Sequence, residues 1–241
     1  ASLTYSGAPW SVKLASKLLR ERKNGPSSTY YPFIRYLPSS VMAPVNTFTW
    51  EQLSMIEYAP AKERIFEYPL TISSAYDFLP GGAHGASSRE EFEWALSIVH
   101  SRTFRTGQDK RALIPIADFA NHRGIEAISV LSENFEGISA NTATWDLDAE
   151  GGLRVFAAKD LQEGDEVTIS YGSLKDNDDF FIFYGFIPRL NSYESVQLWE
   201  SIDHMMEWCQ GRLGPPRSKE EANTYRTAWM RAMEEENSDL G

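Results

Sequence analysis

An α+β fold is predicted for this chain from three observations. Helical spacing dominates the first hundred residues, short β-like runs broken by Asn, Gly and Asp fill the middle, and helical spacing returns after Asp203. The 241 residues suffice for one large domain or two small ones, and a content of 42% hydrophobic and 13% aromatic residues supports a packed core.

The helices come first. From Pro9 the positions of Trp10, Val12, Leu14, Ala15, Leu18 and Leu19 suit an amphipathic helix that stops at Gly25-Pro26. "YYPFIRYLP" reads as a docked loop with a short helix, and "TWEQLSMI" opens another helix with Thr49 capping over Gln52. Pro80 to Ser88 is a Gly/Ser loop. Ser87 or Ser88 caps the next helix, whose first turn sets Glu90 and Glu91 against the macrodipole and whose buried face carries Phe92, Ala95, Leu96 and Val99.

Beyond Arg111 the runs "ALIPIADFA", "ISVLS", "TATWDL" and "LRVFAAKDL" predict a small irregular sheet. "LQEGDEVTIS" predicts a turn at Glu163-Gly164-Asp165, then a strand from Glu166 to Tyr171 with Val167, Ile169 and Tyr171 on one face. A short apolar helix or strand then carries Phe180 to Tyr184. After Asp203, "HMMEWCQGRL" and "KEEANTYRTAWMRAMEEENSDLG" read as helices with a frayed end.

The formal net charge of −11 leaves no basic field to neutralise phosphates, which argues against nucleic acid and favours a basic protein or peptide as partner. No apolar run approaches the ~20 residues of a membrane span. A single cysteine, Cys209, rules out an internal disulfide and a Cys-rich metal cluster, and suits a reducing compartment. The histidines have no metal-ligand spacing, so no metal site is expected. The chain begins "ASLTYSGAPW" without Met, which reads as a processed protein or a fragment.

Three clusters are candidates for chemistry: Ser101-Arg102, then Asp118 with Asn121-His122, then Tyr171 with Tyr184. Each has a plain alternative. Asp118, Asn121 and His122 suit a turn that satisfies local backbone groups, Arg102 suits a cation at a helix C-terminus, and both tyrosines suit core aromatics.

The order of the motifs adds what none carries alone. "HSRTF", "LIPIADFANH", "EGDEVTISYG" and "NDDFFIFYGF", at these spacings, resemble the SET-domain lysine methyltransferases of the Rubisco large-subunit methyltransferase type, over about Pro9 to Gln197. The resemblance implies a SET-type fold of small curled sheets around a knot-like core with a helical insertion. Residues 1–100 would form the insertion region, 101–190 the core with its Asn-His and Tyr-Gly motifs, and 191–241 the start of a truncated helical C-terminal lobe. It implies S-adenosylmethionine as cofactor, bound by Asn121 and His122 with Arg102 and Tyr171 beside it. Tyr171 would be catalytic, its hydroxyl next to the transferred methyl. Tyr184 would line the channel for the target lysine, with Ser101 and Asp118 as further substrate-binding residues. The form "NDDFF…YGF" resembles plant and algal plastid relatives, which implies a plastid location.

The chemistry suits those roles. Methyl transfer from a sulfonium needs a neutral amine, yet a free lysine of pKa about 10.4 is charged at neutral pH. An apolar aromatic channel beside a sulfonium disfavours the ammonium. Tyr171 then serves alignment rather than proton abstraction. Two departures stand against the resemblance. No Gly-x-Gly segment precedes Trp10, and the lobe after Asn191 is shorter than the family's. They support a rival expectation, a catalytically weak or inactive SET-like scaffold in a larger protein assembly; a second rival is an acidic interaction domain with core aromatics. Lysine is the expected acceptor, because relatives that act on histidine depart from the Tyr184-Gly185-Phe186 form.

Overall fold

The computed structural model describes residues 8–40, 48–78, 85–107, 110–129, 136–139, 141–172, 175–191, 193–213, 218–224 and 226–227. Most of the Gly/Ser loop before Gly85 and the last fourteen residues lie outside these. Residues 1–195 and 196–241 form two compact units.

Local signals set the helices of the first unit. Helix α1 (Trp10–Asn24) buries Val12, Ala15, Leu18 and Leu19, and closes at Gly25. Trp10, expected on that apolar face, is 40% exposed because it stands at the first turn, where its ring packs edge-on to His100. Helix α2 (Tyr31–Ile34) is the short helix expected. Helix α3 (Trp50–Ser54) starts with the reciprocal capping box of Thr49 and Gln52. Helix α4 (Ala59–Phe78) is twenty residues long. Helix α5 (Arg89–Arg102) is capped by Ser88, whose Oγ accepts from the Glu91 N–H, and buries Phe92, Ala95, Leu96 and Val99 as predicted. Helices α1, α2, α4 and α5 share one core of Val12, Leu19, Ile34, Ile72, Phe92 and Ile98 with their neighbours.

The sheets are small. Strand β1 (Thr103–Arg105) pairs antiparallel with β2 (Arg111–Leu113), with Phe104 opposite Ala112. Strand β3 (Ile125–Ser129) pairs with β4 (Glu136–Ser139), and β5 (Ala143–Leu147) with β6 (Leu153–Ala157), Trp145 facing Val155. Helices and short antiparallel pairs together make the α+β class the sequence predicts.

Two expected strands come out differently. Of the "ALIPIADFA" stretch only Ala112 and Leu113, the end of β2, are strand; the chain then turns and Ala117–Phe119 forms a 3₁₀ turn that carries Asp118. The turn is entered through Ile116 at φ 72 and ψ −50, a γ-turn region that a β-branched residue seldom adopts. The predicted strand Glu166 to Tyr171 is reduced to a single parallel bridge between Asn121 and Thr168. Its side chains do not alternate as expected, since Val167 is 44% exposed while Thr168 and Ile169 are both buried at 1%. The reason is a polar seam. The Thr168 N–H donates to Thr142 Oγ1, the Thr142 N–H donates to Thr168 Oγ1, and the Thr142 hydroxyl donates to the Glu166 carbonyl. That satisfies the buried backbone from side chains and turns Thr168 inward.

Asn177–Asp179 makes one helical turn that continues as a π-helix, Phe180–Tyr184, and ends at Gly185 in the left-handed region. Ile182 locks this segment into a second core with Leu53 of α3 and Ile65 of α4. Arg64 of α4 adds ion pairs to Asp176, Asp178 and Asp179. The second unit holds α6 (Ile202–Leu213) and a further helical stretch at 219–224. Among the described residues no helix is long and apolar enough to cross a membrane.

Candidate active site

Five of the seven residues singled out from sequence meet in one cavity of about 450 Å³: Ser101, Arg102, Asp118, Tyr171 and Tyr184. Each arrives on a different device. Ser101 and Arg102 end α5, Asp118 sits on the 3₁₀ turn, Tyr171 ends the bridged segment, and Tyr184 ends the π-helix.

Both Tyr-Gly pairs are explained by the backbone. Gly172 has φ 131 and Gly185 has φ 78, so each tyrosine is followed by a reversal that a side-chain-bearing residue resists. The reversals bring the two rings to a centroid distance of 5.1 Å. Behind them the rings of His122, Phe180 and Phe186 close a cluster in which His122 stacks on Phe180 at 4.7 Å.

The Tyr171 hydroxyl donates to the Ala120 carbonyl at 3.0 Å, which fixes its tip beside the Asp118 turn. Burial raises its pKa above the ordinary phenol value, against the opposing effect of Arg102. Tyr184 is raised further, again by burial first. At neutral pH both are hydroxyls and neither is a ready base.

Asp118 is the electrostatic oddity of the site. Its side chain has 0% exposure, and Arg102 Nη1 donates both to its Oδ2 at 3.3 Å and to its own carbonyl at 3.0 Å. Among the described residues Oδ1 has no hydrogen-bond partner. Burial raises the carboxyl pKa while Arg102 holds it down. A buried acceptor atom without a donor marks a place where a donor or a cation completes the site.

Asn121 and His122 are not among the cavity's lining residues. The Asn121 carbonyl accepts the Ile169 N–H at 2.8 Å, and its side-chain amide donates to Glu166 Oε1 at 2.7 Å. His122 Nδ1 lies 3.3 Å from the Ile169 carbonyl and accepts the Tyr171 N–H at 3.3 Å, so this imidazole supports Tyr171 from behind. Burial lowers its pKa, keeping it neutral. Ser101 points away from the others, its Oγ donating to the Ser97 carbonyl at 2.7 Å.

Sequence reasoning missed Glu166, Arg105, Arg111, Trp145 and Lys175. The last four line the cavity, and Glu166 orients Asn121. Lys175 lay in the loop between the two tyrosines, and an isolated lysine next to a Tyr-Gly turn was the signal available.

No protein-family model matches the chain. It is 27% identical over 202 residues to the actin-histidine N-methyltransferase of Danio rerio, covering 78% of this chain and 31% of that protein. It is 30% identical over 95 residues to SET domain-containing protein 8 of Schizosaccharomyces pombe, covering 39% of this chain and 18% of the other. To the ribosomal lysine N-methyltransferase set10 of the same yeast it is 23% identical over 206 residues, 79% of this chain and 34% of that protein. The chain thus spans about a third or less of the length of these curated relatives. Among solved structures, the SET domain of LSMT bound to lysine and AdoHcy superposes with a TM-score of 0.58 at 20% identity, over 77% of this chain and 42% of that one. Rubisco LSMT bound to AdoMet gives 0.58 at 19% identity, over 78% and 42%.

Proposed function

From the SET-domain fold that this chain shares with the Rubisco LSMT structures, we propose that it is a protein-lysine N-methyltransferase using S-adenosylmethionine. The observation that carries the proposal is the cavity in which Tyr171, Tyr184, Arg102, Ser101 and Asp118 converge, with Asp118 Oδ1 buried and lacking a donor.

The residues present fit the cofactor. A cationic sulfur and an incoming amine are the species that a buried, unsatisfied carboxylate oxygen favours. Arg102 would hold the cofactor with Tyr171 against it, and Asn121 and His122 would act on it through the Ile169 to Tyr171 backbone that they hold. S-adenosylmethionine supplies the electrophilic methyl group.

The chain's own residues supply alignment and desolvation. The rings of Tyr171 and Tyr184, 5.1 Å apart, make an apolar wall against which a lysine stem packs and its ammonium loses hydration. The lysine enters as ammonium, gives its proton to solvent through the open cavity, and presents a lone pair. Asp118, its carboxylate enclosed beside Arg102, acts on the amine through its charge rather than by contact. Tyr171, tethered to the Ala120 carbonyl, offers its oxygen lone pairs to polarised C–H groups. Its raised pKa excludes it as the base.

The acceptor is a lysine on a basic protein segment, in keeping with the net charge of −11. A plastid setting belongs to the same reading and rests on the "NDDFF…YGF" form alone, while a larger protein assembly belongs to the rival scaffold reading. Residues 1–100 act as the helical insertion and 101–190 as the core.

Two measurements test the reading. Calorimetric titration with S-adenosylmethionine is expected to give micromolar binding. A methyl-transfer assay over peptides with a central lysine, histidine or arginine is expected to label the lysine set. Histidine labelling would overturn the acceptor assignment, and a folded sample without binding would favour the scaffold.

A further inference from the structure

The cavity already contains a lysine of this chain. Lys175 follows Tyr171 by four residues and lines the same space as Tyr171 and Tyr184, where it is the lysine among the lining residues. Its side chain folds back over the Tyr-Gly turn. Nζ lies 3.8 Å from the position a Cβ on Gly172 would take, and 5.9 Å from the centre of the Tyr184 ring. The amine therefore sits against the turn that carries Tyr171 and over the face of the second tyrosine.

The base of this side chain is held. Asn191 Nδ2 donates to the Lys175 carbonyl at 2.9 Å. The turn that follows is tied to α4 by Arg64 through Asp176, Asp178 and Asp179. A fixed backbone with a flexible four-carbon stem directs the head into the cavity and leaves it free to slide along the wall.

The surroundings also suit an acceptor amine. Burial is the main influence on Lys175 and lowers its pKa, Arg111 acts in the same direction, and Asp179 opposes both. A larger neutral fraction at pH 7 is the chemical requirement for a nucleophilic lysine.

We infer that Lys175 is a modification site: the chain methylates its own lysine in cis, by the transfer reaction proposed above and resting on that reading. The bookkeeping is simple. The ammonium proton leaves to solvent, the Nζ lone pair forms a bond to the methyl carbon, and the carbon–sulfur bond breaks with its electron pair going to sulfur. The sulfonium charge ends on the methylammonium, which the Tyr184 face accommodates by a cation–π contact.

The test uses the whole chain, with isotope-labelled S-adenosylmethionine and no second protein, followed by peptide mapping. The expected result is the labelled methyl on the peptide containing Lys175, a gain of about 17 Da per methyl when that group is trideuterated. Its first-order rate is unchanged over an about tenfold range of protein concentration, as an intramolecular step requires. Lys175→Arg removes that label. A lysine peptide panel runs in parallel. Labelled peptides with an unlabelled Lys175 overturn the inference and leave the transferase reading standing; no label on either overturns both. A rate that rises with protein concentration overturns the cis placement. A readout without turnover completes the test: S-adenosylhomocysteine is expected to protect Lys175 from acetic anhydride about fivefold or more while Lys17 and Lys62 are unaffected. Equal reactivity with and without it would overturn the shared cavity.

Discussion

His100 makes the strongest quantitative claim on the fold that supports the site. It lies near the end of α5, partly buried, with its Nδ1 2.8 Å from the Tyr68 hydroxyl and its ring packed edge-on against Phe183 and Trp10. Burial alone pushes its pKa down to about 4. An unfolded histidine has a pKa near 6.5, so between these values the unfolded chain binds a proton that the folded chain refuses. The stabilisation is fully present above about pH 6.5 and is lost as pH falls through about 4. At about 1.4 kcal/mol per pKa unit the loss comes to about 3 kcal/mol. The perturbation is His100→Gln, which removes the titration while keeping a polar side chain near Tyr68. The assay is urea unfolding of both proteins at several pH values from 7.5 to 4.5. At pH 7.5 the parent is expected to be the more stable, by about 1–2 kcal/mol from ring packing. By pH 4.5 that advantage is expected to shrink by about 2.5 kcal/mol, because the other titratable groups are the same in both proteins. Parallel stability curves, or an NMR titration of the His100 ring near pH 6.5, would refute the reasoning. Because Phe183 precedes Tyr184, the same acid step is expected to weaken binding of a lysine acceptor before the chain unfolds.

Other outcomes follow from the site. Tyr171→Phe loses the hydroxyl and its bond to Ala120 but keeps the ring cluster, so transfer is expected to fall by about 10²-fold or more with cofactor affinity little changed; equal loss of both in kinetic and calorimetric assays would remove Tyr171 from its role. Asn121→Ala is expected to weaken cofactor binding first, by about tenfold, as the tie to Glu166 is cut; unchanged affinity would sink that assignment. Arg102→Ala leaves the Asp118 carboxylate buried without its counter-charge and is expected to cost about 3 kcal/mol in denaturant unfolding, much of it regained in the double variant with Asp118→Asn. Ile116→Gly relieves a backbone conformation that a β-branched residue adopts under strain, and because that side chain is 79% exposed little packing is lost. A gain of about 1 kcal/mol is expected, and a loss would mean that the turn needs the isoleucine.

Local chemistry decided what could be foreseen. Helix α5 was legible because its cap, its acidic first turn and its buried stripe are written within fifteen residues. Helix α4 was not: Pro60 and Pro69 interrupt it in sequence, and its apolar residues do not gather on one narrow face, since it packs against both α5 and the π-helix. The tyrosine pair was legible because each Tyr-Gly step demands a reversal and only the pairing of the two rings was left to the fold. The strand before Tyr171 was misread for the opposite reason. Its backbone partners are Thr142, Asn121 and His122, side chains and a carbonyl up to 49 residues away, and period-two alternation holds no information about them.

The same contrast bears on how the site works. Asn121 and His122 are conspicuous in sequence, yet in the structure they hold the Ile169 to Tyr171 backbone and lie behind the cavity wall. A substitution at His122 therefore reaches the reaction through the position of Tyr171. Lys175 is inconspicuous in sequence, yet its amine lies inside the cavity itself. On the proposed reading an external acceptor lysine must first displace it, so the affinity for that acceptor carries the cost of moving Lys175 off the Tyr184 face. A methylated Lys175 would be bulkier and keep its charge, and the apparent KM for peptide acceptors is then expected to differ between the methylated and unmethylated chain.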